Sequence, residues 1–101
     1  EVGNYARSKL MKLSQKYDFI GDVRGSGLFF GIELVSDKNA KTPASKLTSK
    51  IVNQMKDEGI LLSKLGINYS TLKIRPPMTF TKANVDYLIE KLDKVLSQNS
   101  T

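Results

Sequence analysis

Leu72 to Phe80 reads Leu-Lys-Ile-Arg-Pro-Pro-Met-Thr-Phe, and its paired prolines constrain the fold more than any other feature of the chain. Pro76 and Pro77 carry no backbone N–H and fix their own φ, so a strand entering them must end there and leave the sheet in a set direction. Alternation over Thr71 to Arg75 puts Leu72 and Ile74 on one face and Lys73 and Arg75 on the other. Two cations thus project together at a strand end, which suits an anionic group on a small molecule. A basic strand end held in water is the plainer reading of the same residues.

Upstream, Ala6, Leu10, Leu13 and Tyr17 recur at helical spacing and predict an amphipathic helix from Asn4 to Tyr17, with Arg7, Lys9, Lys12 and Lys16 mostly off the apolar stripe. Phe19-Ile20-Gly21-Asp22 reads as an exit turn. Val23 to Val35 is a glycine-punctuated approach followed by a strand, with Leu28, Phe30, Ile32 and Leu34 on one face and Phe29, Gly31, Glu33 and Val35 on the other. The gap at Gly31 predicts close approach by a backbone or a ligand. Ser36 to Lys41 is a polar loop, and Thr42-Pro43 reads as an N-cap with proline at the first helical position. Leu47, Ile51 and Met55, widened by Val52, form the stripe of a second helix that Gly59 ends. Ile60-Leu61-Leu62-Ser63 reads as a short buried strand, and Lys64 to Ser70 as a loop. Thr81 caps a last helix with a stripe of Val85, Leu88, Ile89, Leu92 and Leu96.

The expected fold is therefore α+β: a small, mainly antiparallel sheet of three to four strands with helices on one face. The other face is expected to be partly bare, as in a domain that docks onto something larger. At 101 residues, 40% hydrophobic, the chain supports one modest core, and residues 1–101 read as a single domain. It opens at Glu1 inside a helix already under way, which reads as a piece of a longer protein. The absence of histidine and cysteine removes the usual general base, thiolate chemistry and the commonest zinc ligands. No apolar run approaches transmembrane length, and the chain reads as cytoplasmic. A net charge of +6 raises the question of a nucleic-acid-binding or docking module. The cations are spread over nearly every segment, which weakens that reading.

Two tempting motifs fail. Gly25, Gly27 and Gly31 have the wrong last spacing for a dinucleotide fingerprint and precede a strand. An RNA-recognition signature wants aromatics where Ser26 and Leu28 stand. No acids pair at catalytic spacing. Glu33 reads as a solvated or salt-bridged strand carboxylate, Asp57 and Glu58 as tolerated surface charge, Asp22 with Arg24 as a local ion pair, and Arg24 as a fork to backbone carbonyls.

Taken in order, Val23-Arg24-Gly25-Ser26-Gly27-Leu28-Phe29-Phe30-Gly31-Ile32-Glu33-Leu34, Gly59-Ile60-Leu61-Leu62 and Leu72-Lys73-Ile74-Arg75-Pro76-Pro77-Met78 resemble the C-terminal small domain of class III aminotransferases. These are the pyridoxal-phosphate enzymes that include ornithine, 4-aminobutyrate and alanine–glyoxylate transaminases, and the similarity runs from about Tyr5 to Leu96. The resemblance implies a large domain that carries pyridoxal phosphate and its Schiff-base lysine, with residues 1–18 leading in from it. It further implies an amine or amino-acid substrate and a homodimer for the full enzyme. This chain is expected to contribute substrate recognition and site closure, with Lys73 and Arg75 as substrate-binding residues. No catalytic, cofactor-binding or metal-binding residue is assigned, and the chain alone is expected to be inactive, binding neither cofactor nor nucleic acid. Many members carry an arginine at the position of Lys73 to grip the substrate carboxylate; a lysine offers a point charge instead of a planar fork. The Leu-Lys-Ile-x-Pro-Pro-Met pattern is also similar to phospho-lyases that act on amino-alcohol phosphates.

Overall fold

The computed structural model describes residues 2–26, 29–37, 42–65, 70–75 and 80–99. Helix α1 (Val2–Lys16) is followed by β1 (Ile20–Ser26), β2 (Phe29–Asp37), β3 (Thr42–Pro43), α2 (Ser45–Asp57), β4 (Ser63–Leu65), β5 (Thr71–Ile74) and α3 (Lys82–Gln98). The sheet runs β1-β2-β5-β4, every neighbouring pair antiparallel, and β3 pairs with the end of β2. This is the expected α+β architecture with the helices on one face. Pro76 and Pro77, which the sequence marks as the strand's end, lie outside the described residues, as do Leu28 and the Gly66–Asn68 part of the predicted loop.

The core follows the apolar stripes. Ala6, Leu10 and Leu13 of α1, Tyr17 just past its end, Val85, Leu88, Leu92, Val95 and Leu96 of α3, and Ile51 and Met55 of α2 belong to one buried cluster. Their floor is Phe30, Ile32 and Leu34 of β2 with Leu72 and Ile74 of β5, all buried, so alternation along each strand decides which residues face the helices. Burying such side chains contributes roughly 1.5–3 kcal/mol each against the entropy of ordering the chain.

Local chemistry sets the helix ends. Gly59 adopts φ +87°, and the Gly59 and Ile60 amides donate back to the carbonyls of Lys56 and Met55, both at 2.9 Å. This is the Schellman arrangement, and only glycine takes that φ without steric cost. Thr81 and Asn84 form a reciprocal box at the start of α3, the Asn84 amide donating to the Thr81 hydroxyl and the Thr81 amide to the Asn84 side chain.

Four expectations are corrected. Ile20 to Asp22 belong to β1 and not to an exit turn: Ile20 is buried against the core, and a bulge between Ile20 and Asp22 accommodates Gly21, where a Cβ would lie 2.9 Å from Val35. Thr42-Pro43 pairs with Asp37 and Val35 instead of capping α2, which begins after Ala44 with no side-chain cap. Proline is tolerated in so short a strand, and the Ala44 amide donates to the Leu34 carbonyl at 3.1 Å. The strand expected at Ile60–Ser63 falls at Ser63–Leu65, leaving Leu61 82% exposed. Finally, Glu58 is not idle surface charge: it pairs with Lys94 at 2.9 Å and Lys91 at 3.5 Å, tying the end of α2 to α3.

Candidate functional site

The sheet face away from the helices carries the side chains of the candidate site. The register places Arg24, Gly31, Lys73 and Ser63 in one row across β1, β2, β5 and β4. Gly31 leaves the middle of that row without a side chain. Its nearest neighbour for an added Cβ is the Thr71 methyl at 3.4 Å, an ordinary contact that leaves the floor shallow and open. Lys73, half-buried, extends past this gap so that its Nζ lies 5.9 Å from the centroid of the Phe29 ring, itself 45% exposed.

Acidic groups on this face are already engaged. Glu33 accepts hydrogen bonds from the Ser70 hydroxyl at 2.5 Å and from the Thr71 hydroxyl, and pairs with the Arg24 guanidinium at 3.6 Å. Asp22 pairs with the same guanidinium at 3.6 Å. The Asp22–Arg24 pair and the salt-bridged Glu33 follow the sequence reading. Arg24 as a fork to backbone carbonyls does not, because two carboxylates offer its charge more than neutral oxygens would. Lys73 therefore has no carboxylate partner among the described residues, while Asp22 and Glu33 both pair with Arg24.

Arg75 follows the last residue of β5 and is exposed, with no ion pair or hydrogen bond to another described residue. It borders a cleft of about 340 Å³ between the α2–β4 connection and the first turns of α3. The walls are Ile60, Leu62, Ile74, Phe80 and Leu88, with Asn84 and Tyr87 supplying the polar rim. Lys73 and Arg75, adjacent in the sequence argument, thus have different surroundings. Lys73 stands over Phe29 on the open sheet face, and Arg75 stands where that face meets the cleft. The sequence reading missed Phe29 as the partner of Lys73, Ser70 and Thr71 as the clamp on Glu33, and the cleft itself. Each joins strands or helices distant in sequence, and no local spacing announces them.

A pyridoxal site needs a lysine amine, a carboxylate for the pyridinium nitrogen and a phosphate cradle inside one walled pocket. The cleft presents Arg75, Asn84 and Tyr87, with neither a lysine nor a carboxylate among its described lining. Lys73 on the open face lies over the Phe29 ring, and Glu33 on that face is already engaged by Ser70, Thr71 and Arg24. This donor set does not fit the cofactor. No group of three or more metal-ligating side chains occurs among the described residues, and no helix there is long and apolar enough to cross a membrane.

Residues 1–96 match the family model for class III aminotransferases. The chain is 46% identical over 97 residues to alanine–glyoxylate aminotransferase 2 homolog 2, mitochondrial, of Arabidopsis thaliana, covering 96% of this chain and 20% of the relative. It is 40% identical over 98 residues to ethanolamine-phosphate phospho-lyase homolog 1 of Caenorhabditis elegans, covering 96% and 21%. Among solved structures, a phospholyase from Arthrobacter in complex with phosphoethanolamine superposes with a TM-score of 0.89 at 36% identity, over 94% of this chain and 22% of that one. A transaminase with L-Ala gives 0.87 at 32% identity, over 97% and 23%. The chain spans about a fifth of the length of the curated relatives it matches. On the family model and these relatives together, this chain belongs to the class III aminotransferases.

Proposed function

We propose that this chain is the C-terminal small domain of a pyridoxal-phosphate-dependent class III enzyme, with α1 leading in from a large domain that holds the cofactor. In this reading Lys73 and Arg75 form a charged lip that recognises the anionic end of an amine or amino-acid substrate and helps to close the site, and the full enzyme is a homodimer. The observation that carries it is the state of Lys73: a half-buried cation over Phe29, beside a glycine gap, with no carboxylate partner among the described residues. A lysine kept unpaired where Asp22 and Glu33 are both neutralised is available to an incoming anion. The donor set of the described residues, which does not fit the cofactor, supports that division of labour.

The test is made in the full-length parent. Lys73→Gln should lower kcat/KM for the anionic amine by roughly ten- to a hundredfold, the range of a lost charge-assisted contact, mostly through KM, and Lys73→Arg should restore most of it. An unchanged KM in Lys73→Gln would sink the lip. Substrate type is read in the same assay: amino transfer to a keto acid identifies a transaminase. Release of phosphate and aldehyde from phosphoethanolamine, the ligand of the Arthrobacter neighbour, identifies a phospho-lyase. The 101-residue chain alone should support neither reaction.

A further inference from the structure

Glu33 and Lys73 share the open face of the sheet and stand within reach of one another. In the β2–β5 register Gly31 is opposite Lys73 and Glu33 is opposite Thr71, so carboxylate and ammonium are diagonal neighbours, a separation that long side chains span. Yet the Lys73 Nζ is found along β2 in the other direction, over the Phe29 ring. The carboxylate is occupied. One of its oxygens accepts from the Ser70 hydroxyl at 2.5 Å, the other accepts from the Thr71 hydroxyl, and the Arg24 guanidinium pairs with that second oxygen at 3.6 Å. Ser70 and Thr71 are both buried, so water competes little for either donor.

A carboxylate binds an ammonium group more strongly than it binds a neutral hydroxyl. Gly31 puts no side chain between Glu33 and Lys73, so no steric wall keeps the two apart. What separates them is the prior engagement of Glu33. We propose that Ser70 and Thr71 are positioning residues for the lip: by occupying both Glu33 oxygens they keep that carboxylate from capturing Lys73. The ammonium then stays over Phe29, where the π face attracts the charge and leaves its three N–H donors for an incoming anion. Arg24 supplies the compensating charge from β1. The inference rests on the reading of Lys73 as the group that meets the substrate, and it names what holds that group ready.

The test pairs the full-length parent with the 101-residue chain. In the parent, Ser70→Ala/Thr71→Val removes both donors while keeping the volume of Thr71, and Glu33 should then pair with Lys73. KM for the anionic amine should rise about three- to fivefold at constant kcat, the cost of first breaking one ion pair. Adding Glu33→Gln should bring KM back to within about twofold of the unchanged enzyme. Damage to the sheet could not give that rescue, because a further substitution would only add to it. Thr71→Val alone should show the same rise in smaller measure and serves where the paired variant does not fold, and Thr71→Ser, which keeps the hydroxyl, should recover the loss. In the chain itself, proton NMR should find the Lys73 ε-methylene upfield of a lysine with no ring beside it. That signal should move downfield in Ser70→Ala/Thr71→Val and return when Glu33→Gln is added. The proposal is overturned if the signal stays in place when the hydroxyls are removed, or if Glu33→Gln deepens the KM defect instead of relieving it. A KM indifferent to Lys73→Gln removes the substrate lip and this role together, whereas a KM that answers to Lys73→Gln but not to loss of the two hydroxyls removes this role alone.

Discussion

Along the seam between α1 and α3, polar side chains consume one another. Tyr17 donates its hydroxyl to Asp93, Lys16 reaches the same carboxylate at 3.0 Å, and Tyr5 donates to Asp86 at 2.5 Å. Lys9 and Lys82 both lie over the Tyr5 ring, 5.3 and 5.4 Å from its centroid. At the end of β5 the same residue types stand apart. Lys73 has only an aromatic face, Arg75 has no polar partner among the described residues, and Tyr87 and Leu61 look outward. Both regions are rich in lysine, tyrosine and leucine, so composition does not separate them. Satisfaction does: the seam spends its polar groups on holding the fold, and the β5 end leaves them for something else.

The sharpest way to break this contrast is to truncate the seam. Tyr17 is buried, its ring stacks on Phe19 at 5.5 Å, and its hydroxyl also donates to the Asp93 carbonyl at 3.2 Å. Tyr17→Ala should therefore destabilise the chain by about 3–5 kcal/mol, most of it from lost packing, measured by urea unfolding. Tyr17→Phe keeps the ring and should cost about 1 kcal/mol. If the two variants were equally stable, the ring would not be part of the core. A comparable loss, about 1–3 kcal/mol, is expected for Gly25→Ala in β1. Its new Cβ would fall 2.4 Å from the buried Phe30 ring and 3.0 Å from the Phe29 carbonyl oxygen, and neither can move freely.

The seam should also give the chain a pH signature. The hydrogen bond from Tyr17, followed by Lys16, holds the Asp93 carboxyl below the usual carboxylate range against the opposing effect of burial. A depressed folded pKa contributes stability above the unfolded value, near 3.9, and that stability is lost as pH falls through the lower folded value. Tyr17 moves the other way, raised by burial first and by Asp93 second. Its contribution is complete below the ordinary tyrosine pKa and is lost as pH rises through the folded one. Acid unfolding followed by circular dichroism should show a shallower low-pH limb in Asp93→Asn than in the unchanged protein, while Arg75→Gln leaves that limb in place. Glu58, lowered chiefly by Lys94 and then by Lys91, adds to the same limb from the α2 end, so Glu58→Gln should flatten it less.

Which parts of this were legible in the sequence follows from the range of each signal. The stripe Ala6, Leu10, Leu13, Tyr17 and that of α3 are periodic over several turns, and both meet in the core as read. Gly59 carries its own signal, because a helix followed by glycine so often ends in the left-handed turn. β1 was hidden because Gly21, Asp22, Arg24 and Gly25 dilute the two apolar residues, Ile20 and Val23, that the core buries. Thr42-Pro43 carries a genuine capping pattern, overridden by backbone pairing to β2. At the candidate site, alternation was enough to put Lys73 on the face opposite Leu72 and Ile74. Nothing local could reveal that Phe29 stands beside it, or that Glu58 belongs to Lys91 and Lys94, since those contacts exist only once the elements pack.

The smallest stability effect belongs to the cleft rim and is the most informative about what that rim is for. Leu61 is 82% exposed, so replacing it with serine removes almost no contact that folding had gained. Leu61→Ser should leave the midpoint of urea unfolding within about 0.5 kcal/mol of the unchanged protein, as should Arg75→Gln, whose guanidinium binds nothing described. A loss above 1 kcal/mol in either variant would mean that the rim supports the fold and that the contrast with the α1–α3 seam is false. If both fold unchanged, the exposure of a leucine, a tyrosine and a partnerless arginine around one apolar cleft has no explanation within the domain. Its cause then lies in what this surface meets outside the 101 residues, which span about a fifth of the length of the relatives.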